Sequence, residues 1–251
     1  MSRCVQGDAR REESYAAALQ DERADALITD PPYCLLTRRR KRGDLRDKHA
    51  GRKIDRDPVL RFESVRDYRD FTETWLTRAA AHLRPGAPFV IWTNFLGKEP
   101  IDHVARGLGY VGAGEFTWAK WTSERQGNEQ LLRVYEVALV FLREPLPPLA
   151  PGDPPRTWCV AASYDEDGEA ARWGGHPNHK PFSALEPLVR AWTRPGELVL
   201  DPFAGSGSIP AAAVRLGRRA ACIEIEPDWA ACVSQRLGAG TGTLPGGCAG
   251  A

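Results

Sequence analysis

The chain has 251 residues, with 34 Lys and Arg against 33 Asp and Glu, and 42% of its residues are hydrophobic. This length and composition fit one large α/β domain of a globular protein. The longest apolar run, residues 137–142, is far below the roughly 20 residues of a membrane-spanning helix. The first residues contain no apolar signal-peptide core. We therefore expect a cytoplasmic protein that does not enter a membrane.

The near-zero net charge hides one strongly basic segment. Residues 38–56 contain ten Lys and Arg against three Asp, so the remainder of the chain is net acidic. The six cysteines are scattered and form no Cys-x-x-Cys pair. We therefore predict reduced thiols, without structural zinc, another metal site or a disulfide framework.

The predicted elements of the first half alternate between strands and helices. They are a strand at 3–6, a helix at 11–20, a buried strand at 25–29, a helix at 64–83 with Ser64 as N-cap, a strand at 88–93, a helix near 100–108 and two strands at 115–121 and 134–142. The strand at 25–29 must end at Asp30-Pro31-Pro32-Tyr33, because proline cannot donate to a strand ladder. Residues 34–62 show no regular period and are predicted to form a loop.

The second half begins with six prolines between 145 and 155, which predict a linker. Ser183-Ala-Leu-Glu186 matches a capping box and predicts a helix to about 193. There follow a strand at 197–200, a Gly-rich turn, a helix at 208–216, a strand at 219–225, a helix at 227–237 and a disordered tail. Alternating strands and helices predict a doubly wound α/β fold, with a mostly parallel sheet covered on both faces.

The Gly-rich turn after Asp201 has the features of a nucleoside-binding turn. Gly205 and Gly207 allow a ligand close to the backbone, and Glu224, which follows at the end of the next strand, is placed to accept hydrogen bonds from ribose hydroxyls. Pro210 stands where a dinucleotide-binding motif has its third Gly or Ala, which favours a smaller nucleoside cofactor. The alternative is a tight turn that needs glycine for its geometry alone.

The Asp30-Pro31-Pro32-Tyr33 turn follows a predicted central strand, where open α/β sheets place their active sites. The Asp30 carboxylate and the Pro31 carbonyl are two acceptors beside an aromatic ring. Such a set suits a planar ligand with an exocyclic amino group. The alternative is a turn that merely ends the strand.

Together, Asp30-Pro-Pro-Tyr33 and Asp201-Pro-Phe-Ala-Gly-Ser-Gly207 resemble the S-adenosylmethionine-dependent DNA amino-methyltransferases. The catalytic tetrapeptide precedes the cofactor motif, as in the circularly permuted β group. Further segments resemble that group in the same order, namely 5–8, 118–120, 135–141, 176–181 and 224–229. The resemblance implies a Rossmann-like fold with a seven-stranded, mostly parallel sheet and an antiparallel hairpin. It also implies one domain at 1–237, with a basic loop at 34–62, a small target-recognition lobe at about 143–175 and a tail at 238–251.

The resemblance assigns roles to individual residues. It places methyl transfer from S-adenosylmethionine to the amino group of a flipped base at Asp30, Pro31, Pro32 and Tyr33. It assigns Asp8 to the adenine of the cofactor, Glu224 to its ribose, and Lys180 or Ser183 to its methionyl end. The complete set of expected cofactor-binding residues is Asp8, Lys180, Ser183, Asp201, Phe203, Ala204, Gly205, Ser206, Gly207 and Glu224. Beside such a site, we favour phosphate contacts with double-stranded DNA over a solvated loop for Arg38, Arg39, Arg40, Lys41 and Arg42.

Several alternatives stay open. Asp at position 30 favours adenine N6, because cytosine-N4 members of the family more often have Ser there, and cytosine N4 is the second choice. An RNA or protein-glutamine methyltransferase fits the permuted order less well. An intact Asp30 beside an intact Gly205 and Gly207 turn argues against a nucleoside-binding regulatory module without catalysis. A nicotinamide-dependent reductase would need the absent third Gly and would leave the Pro-Pro-Tyr turn without a role. The resemblance is also compatible with a homodimer.

Overall fold

The computed structural model describes residues 1–37, 60–121, 134–144, 157–176 and 178–238. The predicted DNA-contacting residues Arg38, Arg39, Arg40, Lys41 and Arg42 lie outside these ranges, as does most of the predicted tail. The predicted domain organisation stays a prediction, since much of its loop and lobe falls outside these ranges.

The described ranges contain eight strands and seven α-helices. The strands are β1 (Arg3–Gln6), β2 (Ala26–Thr29), β3 (Phe89–Thr93), β4 (Val111–Trp121), β5 (Val134–Leu142), β6 (Thr157–Ser163), β7 (Leu198–Asp201) and β8 (Arg219–Glu224). The helices are α1 (Glu12–Leu19), α2 (Val65–Ala81), α3 (Lys98–Gly107), α4 (Glu169–Arg172), α5 (Phe182–Trp192), α6 (Ser208–Arg215) and α7 (Pro227–Gly238), with one 3₁₀ turn at Phe95–Gly97. Within these ranges, no helix combines the length and apolarity needed to cross a membrane.

All eight strands form one sheet in the order β1-β8-β7-β2-β3-β5-β4-β6. β3 pairs with β5 and β5 with β4 in antiparallel fashion, whereas the other five pairings are parallel. The predicted doubly wound fold and its antiparallel hairpin are therefore confirmed. The strand number is corrected from seven to eight, because β6 lies beside β4 at the sheet edge. Its Thr-Trp-Cys-Val-Ala-Ala-Ser sequence ends on small residues with weak strand preference, so the periodicity did not reveal it.

Both faces of the sheet are buried in apolar cores. Along β2, Leu27 faces one cluster and Ile28 the other, as the alternation of side chains in a strand requires. The first cluster includes apolar residues of α1, α2 and α3, and the second those of α5 and α6. The central strands are therefore hydrophobic on both sides, as expected for a covered parallel sheet.

Two local predictions about helix starts have different outcomes. The predicted N-cap Ser64 is confirmed: its hydroxyl accepts from the Asp67 N–H at 3.2 Å, and the Asp67 carboxylate accepts from the Ser64 N–H at 2.9 Å. The predicted capping box at Ser183 is wrong. Helix α5 begins one residue earlier without a side-chain cap, and the Ser183 hydroxyl donates to Glu166 instead.

The thiol prediction needs one correction. Cys4, Cys34, Cys159 and Cys222 are free, as predicted. Cys232, in α7, is disulfide-bonded, so the expectation of reduced thiols does not hold there.

Candidate active site

The two predicted motifs meet at one edge of the sheet. Asp30 directly follows β2, and β7, which ends at Asp201, is the parallel neighbour of β2. The carboxyl ends of parallel strands share one edge, so the two turns lie side by side. Residues of both turns line a small cavity of about 40 Å³. The residues that line it are Asp30, His176, Asn178, Phe203, Ala204, Gly205, Ser206, Ser208 and Ile209.

The Asp30 carboxylate is paired on one oxygen only. Lys180 Nζ donates to Asp30 Oδ2, and Asp30 Oδ1 is buried without a hydrogen-bond partner among the described residues. Lys180 is only 1% exposed, so it is a buried lysine and not a surface one. The structure places this predicted cofactor residue against the catalytic turn.

Two further charged residues complete this buried cluster. Glu136 Oε2 lies 3.0 Å from Lys180 Nζ and accepts from the Tyr33 hydroxyl at 2.7 Å. Lys120 donates to Glu136 Oε1. Asp30, Lys180, Glu136 and Lys120 therefore form a chain of alternating charges, which we call the charge chain. The sequence analysis missed Glu136 and Lys120 as site residues, although Glu136 is the single charged residue in an otherwise apolar strand end.

Burial and pairing set the protonation of this cluster. Burial raises the pKa of Asp30, Lys180 opposes that rise and Glu136 adds to it. Burial would also raise the pKa of Glu136, but Lys180 and Lys120 outweigh it and bring the value to about 2. Burial and the two neighbouring carboxylates hold the pKa of Tyr33 well above its ordinary value. The charge chain therefore surrounds a neutral tyrosine hydroxyl.

Asp201 links the end of β2 to the Gly-rich turn. Its Oδ1 accepts from the Thr29 hydroxyl at 2.7 Å and from the Phe203 N–H at 3.2 Å. The side chain is 1% exposed, and burial raises the pKa of Asp201 to about 7. This carboxyl group thus ties the ends of β2 and β7 together.

The Gly-rich turn uses conformations that other residues rarely adopt. Gly205 and Gly207 have φ values of +52° and +75°. A Cβ atom on Gly205 would lie 3.1 Å from Cε1 of His176, so a side chain there would crowd the cavity wall. The Glu224 carboxylate accepts from the Gly205 N–H at 2.7 Å and from the Glu226 N–H at 2.9 Å. The acidic partner at the end of β8 is therefore fastened to the turn.

The structure separates the predicted cofactor residues into three groups. Four line the cavity, namely Phe203, Ala204, Gly205 and Ser206, and three adjoin it through the turn and strand ends, namely Asp201, Gly207 and Glu224. Asp8 lies near the end of β8, because the N–H of the neighbouring Gly7 donates to the Glu224 carbonyl at 2.9 Å. The Asp8 carboxylate accepts hydrogen bonds from Arg10. Lys180 belongs to the charge chain, and Ser183 is bound to Glu166 away from the cavity lining.

A second buried network supports the turn from below. Arg236 of α7 donates to the Ser206 carbonyl at 2.9 Å and to Glu169 Oε2 at 2.7 Å. Nδ1 of His179 lies 3.3 Å from the Ser206 hydroxyl, and burial lowers the pKa of His179 to about 4. Nothing in the sequence analysis pointed to Arg236, which lies in the last turns of α7.

Known proteins resemble this chain in sequence or in fold over almost its whole length. YubD of Escherichia coli K12 is 28% identical over 244 residues, covering 95% of this chain and 91% of YubD. The crystal structure of the M1.HpyAVI–SAM complex superposes with a TM-score of 0.66 at 20% identity, covering 94% of this chain and 99% of that one. The PvuII DNA methyltransferase, described as cytosine-N4-specific, superposes with a TM-score of 0.64 at 18% identity, covering 93% of this chain and 85% of that one. A profile of the N6/N4 methyltransferase family, described as DNA methylase, matches residues 24–234, which include both turns and the charge chain. The chain therefore belongs to the N6/N4 DNA methylase family.

Proposed function

We propose that this protein transfers a methyl group from S-adenosylmethionine to the exocyclic amino group of a DNA base, with adenine N6 as the favoured target. The observation that carries the proposal is the Oδ1 atom of Asp30, a buried acceptor that has no partner among the described residues and belongs to a residue that lines one cavity with the Gly-rich turn. A buried acceptor without a partner is costly, so it marks a place where a ligand donor completes the site.

The residues around the turn fit S-adenosylmethionine. Gly205 leaves space that a Cβ would take from the His176 ring, and Glu224 is held at the end of β8, where an acidic side chain meets ribose hydroxyls. Asp8 would receive the adenine amino group in exchange for Arg10. A cavity of about 40 Å³ holds only one or two water molecules. Binding therefore requires His176 and Asn178, which line it, to move aside. When bound, the cofactor supplies an electrophilic methyl group.

The catalytic turn would orient the target nitrogen. The amino group donates to Asp30 Oδ1 and to the Pro31 carbonyl, which localises its lone pair and directs it at the methyl group. Positive charge would develop on the nitrogen as the N–C bond forms and the sulfonium S–C bond breaks, which leaves the cofactor as a neutral thioether. The Asp30 carboxylate would stabilise that charge until the nitrogen loses one proton to solvent. Tyr33 stacks on the base. A base within a duplex does not reach such a buried turn, so it must be flipped out at a cost of a few kcal/mol.

Cytosine N4 is the second candidate target. The likeness to the cytosine-N4-specific PvuII enzyme supports it, since the two proteins share the fold over most of their lengths. Asp at position 30 favours adenine through the family pattern described above. Both targets present an exocyclic amino group to the same pair of acceptors.

The product identifies the target base. Purified protein is incubated with mixed-sequence plasmid DNA and S-adenosylmethionine, and the DNA is digested to nucleosides for mass spectrometry. We expect N6-methyladenine. N4-methylcytosine as the sole product would replace adenine by cytosine, and a complete absence of both would overturn the proposed function.

Asp30→Ala tests the assigned chemistry directly. Loss of the acceptor should lower the methyl-transfer rate by at least about 100-fold, because a preorganised charge-stabilising group is removed. Affinity for S-adenosylmethionine, measured by calorimetry without DNA, should change little. Full activity of Asp30→Ala would show that the carboxylate has no part in the transfer.

A further inference from the structure

The buried lysine before α5, Lys180, contacts the Asp30-Pro31-Pro32-Tyr33 turn. We propose that Lys180 is a positioning residue of the catalytic turn, held by Glu136 against Asp30, and not a ligand of the cofactor's carboxylate. The inference rests on the proposed function, which supplies the reaction that Asp30 serves.

The geometry leaves the Lys180 ammonium group no free donor. An ammonium group has three N–H donors. Its three oxygen neighbours are Asp30 Oδ2, Glu136 Oε2 at 3.0 Å and the Tyr33 hydroxyl oxygen at 3.2 Å. The Trp92 ring covers the group, with its centroid 4.9 Å from Nζ. A methionyl carboxylate would have to displace one of these buried partners.

The same contacts orient the reactive carboxylate. Lys180 occupies Oδ2 of Asp30, which fixes the rotation of the carboxyl group and leaves Oδ1 as the oxygen open to a target amino group. Glu136 holds Lys180 and the Tyr33 hydroxyl together through one oxygen, and Lys120 balances Glu136 through the other. Displacement of any member of the charge chain would therefore be transmitted to Asp30.

The charges around Asp30 also decide whether it stays ionised. Among the described residues, Lys180 is the one cation in contact with Asp30. The other titratable groups that interact with Asp30 are Glu136, the Tyr33 hydroxyl and the Asp201 carboxyl. Burial raises the pKa of Asp30, and Lys180 opposes this. A protonated Asp30 would stabilise the developing charge less well, so Lys180 should extend activity toward low pH.

Two substitutions with opposite electrostatic effects test the inference. Single-turnover methyl transfer to plasmid DNA is measured from pH 5 to 9 for wild type, Lys180→Met and Glu136→Gln. Without Lys180, the acid limb of the rate profile should move up by at least one pH unit. Without the Glu136 charge, it should move down, while the plateau rate falls because Lys180 is held less firmly. Shifts in the same direction, or two unshifted profiles, would overturn the inference.

Calorimetry with S-adenosylmethionine and no DNA provides a readout independent of turnover. Lys180→Met should bind the cofactor within threefold of wild type, and tenfold weaker binding would assign Lys180 to the cofactor. Lys98→Met is the matched control, because Lys98 also pairs with a glutamate, Glu115 at 2.7 Å, but lies outside the charge chain. It should leave rate, profile and affinity unchanged.

The two ways of failing are distinguishable. Wild-type protein that methylates no DNA base overturns the proposed function, and calorimetry alone then decides whether Lys180 contacts the cofactor. Should Lys180→Met fail to fold, Lys180→Arg replaces it. Arginine keeps the charge, so the acid limb should stay within half a pH unit of wild type while the plateau rate falls. A cofactor affinity lowered tenfold in that variant would overturn the inference.

Discussion

At the scale of single residues, the raised pKa of Asp201 predicts how the free energy of unfolding depends on pH. Burial raises its pKa to about 7 in the folded protein, whereas an unfolded aspartate titrates near 4. Between these values the native state holds a proton that the unfolded state has lost. The free energy of unfolding therefore falls as pH rises from 4 to 7, by at most about 4 kcal/mol from this group. Asp201→Asn should remove that decline, as measured by urea unfolding across this pH range.

The control is a carboxylate outside the buried network of Asp201. Asp102 lies on α3 with a side chain 38% exposed, paired with Arg106 across one helical turn. The curve for Asp102→Asn should run parallel to that of wild type. If the Asp201→Asn curve does the same, Asp201 is ionised in the native protein and the raised pKa is wrong.

At the scale of elements, the network around Arg236 joins α7, α4 and the Gly-rich turn. The Arg236 side chain is 3% exposed and that of Glu169 is 14% exposed, so their ion pair is largely shielded from water. Arg236→Leu removes the buried cation of Glu169, which keeps only the more exposed Arg172, and leaves the Ser206 carbonyl without its Arg236 donor. We expect a loss of roughly 1–3 kcal/mol in the free energy of unfolding, measured by urea titration.

A surface pair provides the control for Arg236. Arg190 and Glu186 are paired at i,i+4 on α5, with the arginine side chain 63% exposed. Arg190→Ala should change the free energy of unfolding by no more than about 0.5 kcal/mol. Adding Glu169→Gln to Arg236→Leu should recover part of the lost stability. A double variant no more stable than Arg236→Leu would show that the loss of the Arg236–Glu169 ion pair is not the cause.

Elements fixed by local chemistry could be predicted from the sequence, and those fixed by distant contacts could not. The Pro-Pro turn after β2 and the Ser64 N-cap depend on adjacent residues, and both are found as predicted. The predicted Ser183 capping box is not found, because the Ser183 hydroxyl donates its hydrogen bond to Glu166, which lies 17 positions away in the sequence. Glu136 was missed for a similar reason, since its partners Tyr33 and Lys180 come from other elements.

At the scale of the whole molecule, the sheet order explains why residues 30 and 203 share a cavity. β2 and β7 are neighbours although about 170 residues separate them, and their parallel pairing brings both carboxyl ends to one edge. This juxtaposition was predictable from the alternation of strands and helices. The charge chain was not, because it needs the antiparallel register that places β5 beside β3.

The basic segment makes the last prediction, which concerns DNA binding by the whole protein. The described residues that flank this segment are paired close to the Asp30-Pro31-Pro32-Tyr33 turn, since the Thr37 N–H donates to the Phe62 carbonyl and the Phe62 N–H to the Leu35 carbonyl, both at 2.9 Å.

Replacing the five residues 38–42 with Gln should flatten the plot of log affinity against log salt concentration, by up to about 4.5 in slope if all five contact phosphates. Fluorescence anisotropy with a labelled duplex measures this slope, and cofactor affinity should stay unchanged. The double variant Arg190→Gln, Arg194→Gln is the control. Arg190 lies in the last turn of α5 and Arg194 before the amino end of β7, whereas the Asp30 turn and the Gly-rich turn lie at the carboxyl ends of β2 and β7. An unaltered slope in the fivefold variant would place the phosphate contacts elsewhere. A slope reduced in the control by as much per replaced residue, up to about 1.8 for its two arginines, would show that general surface charge, and not this segment, attracts the DNA.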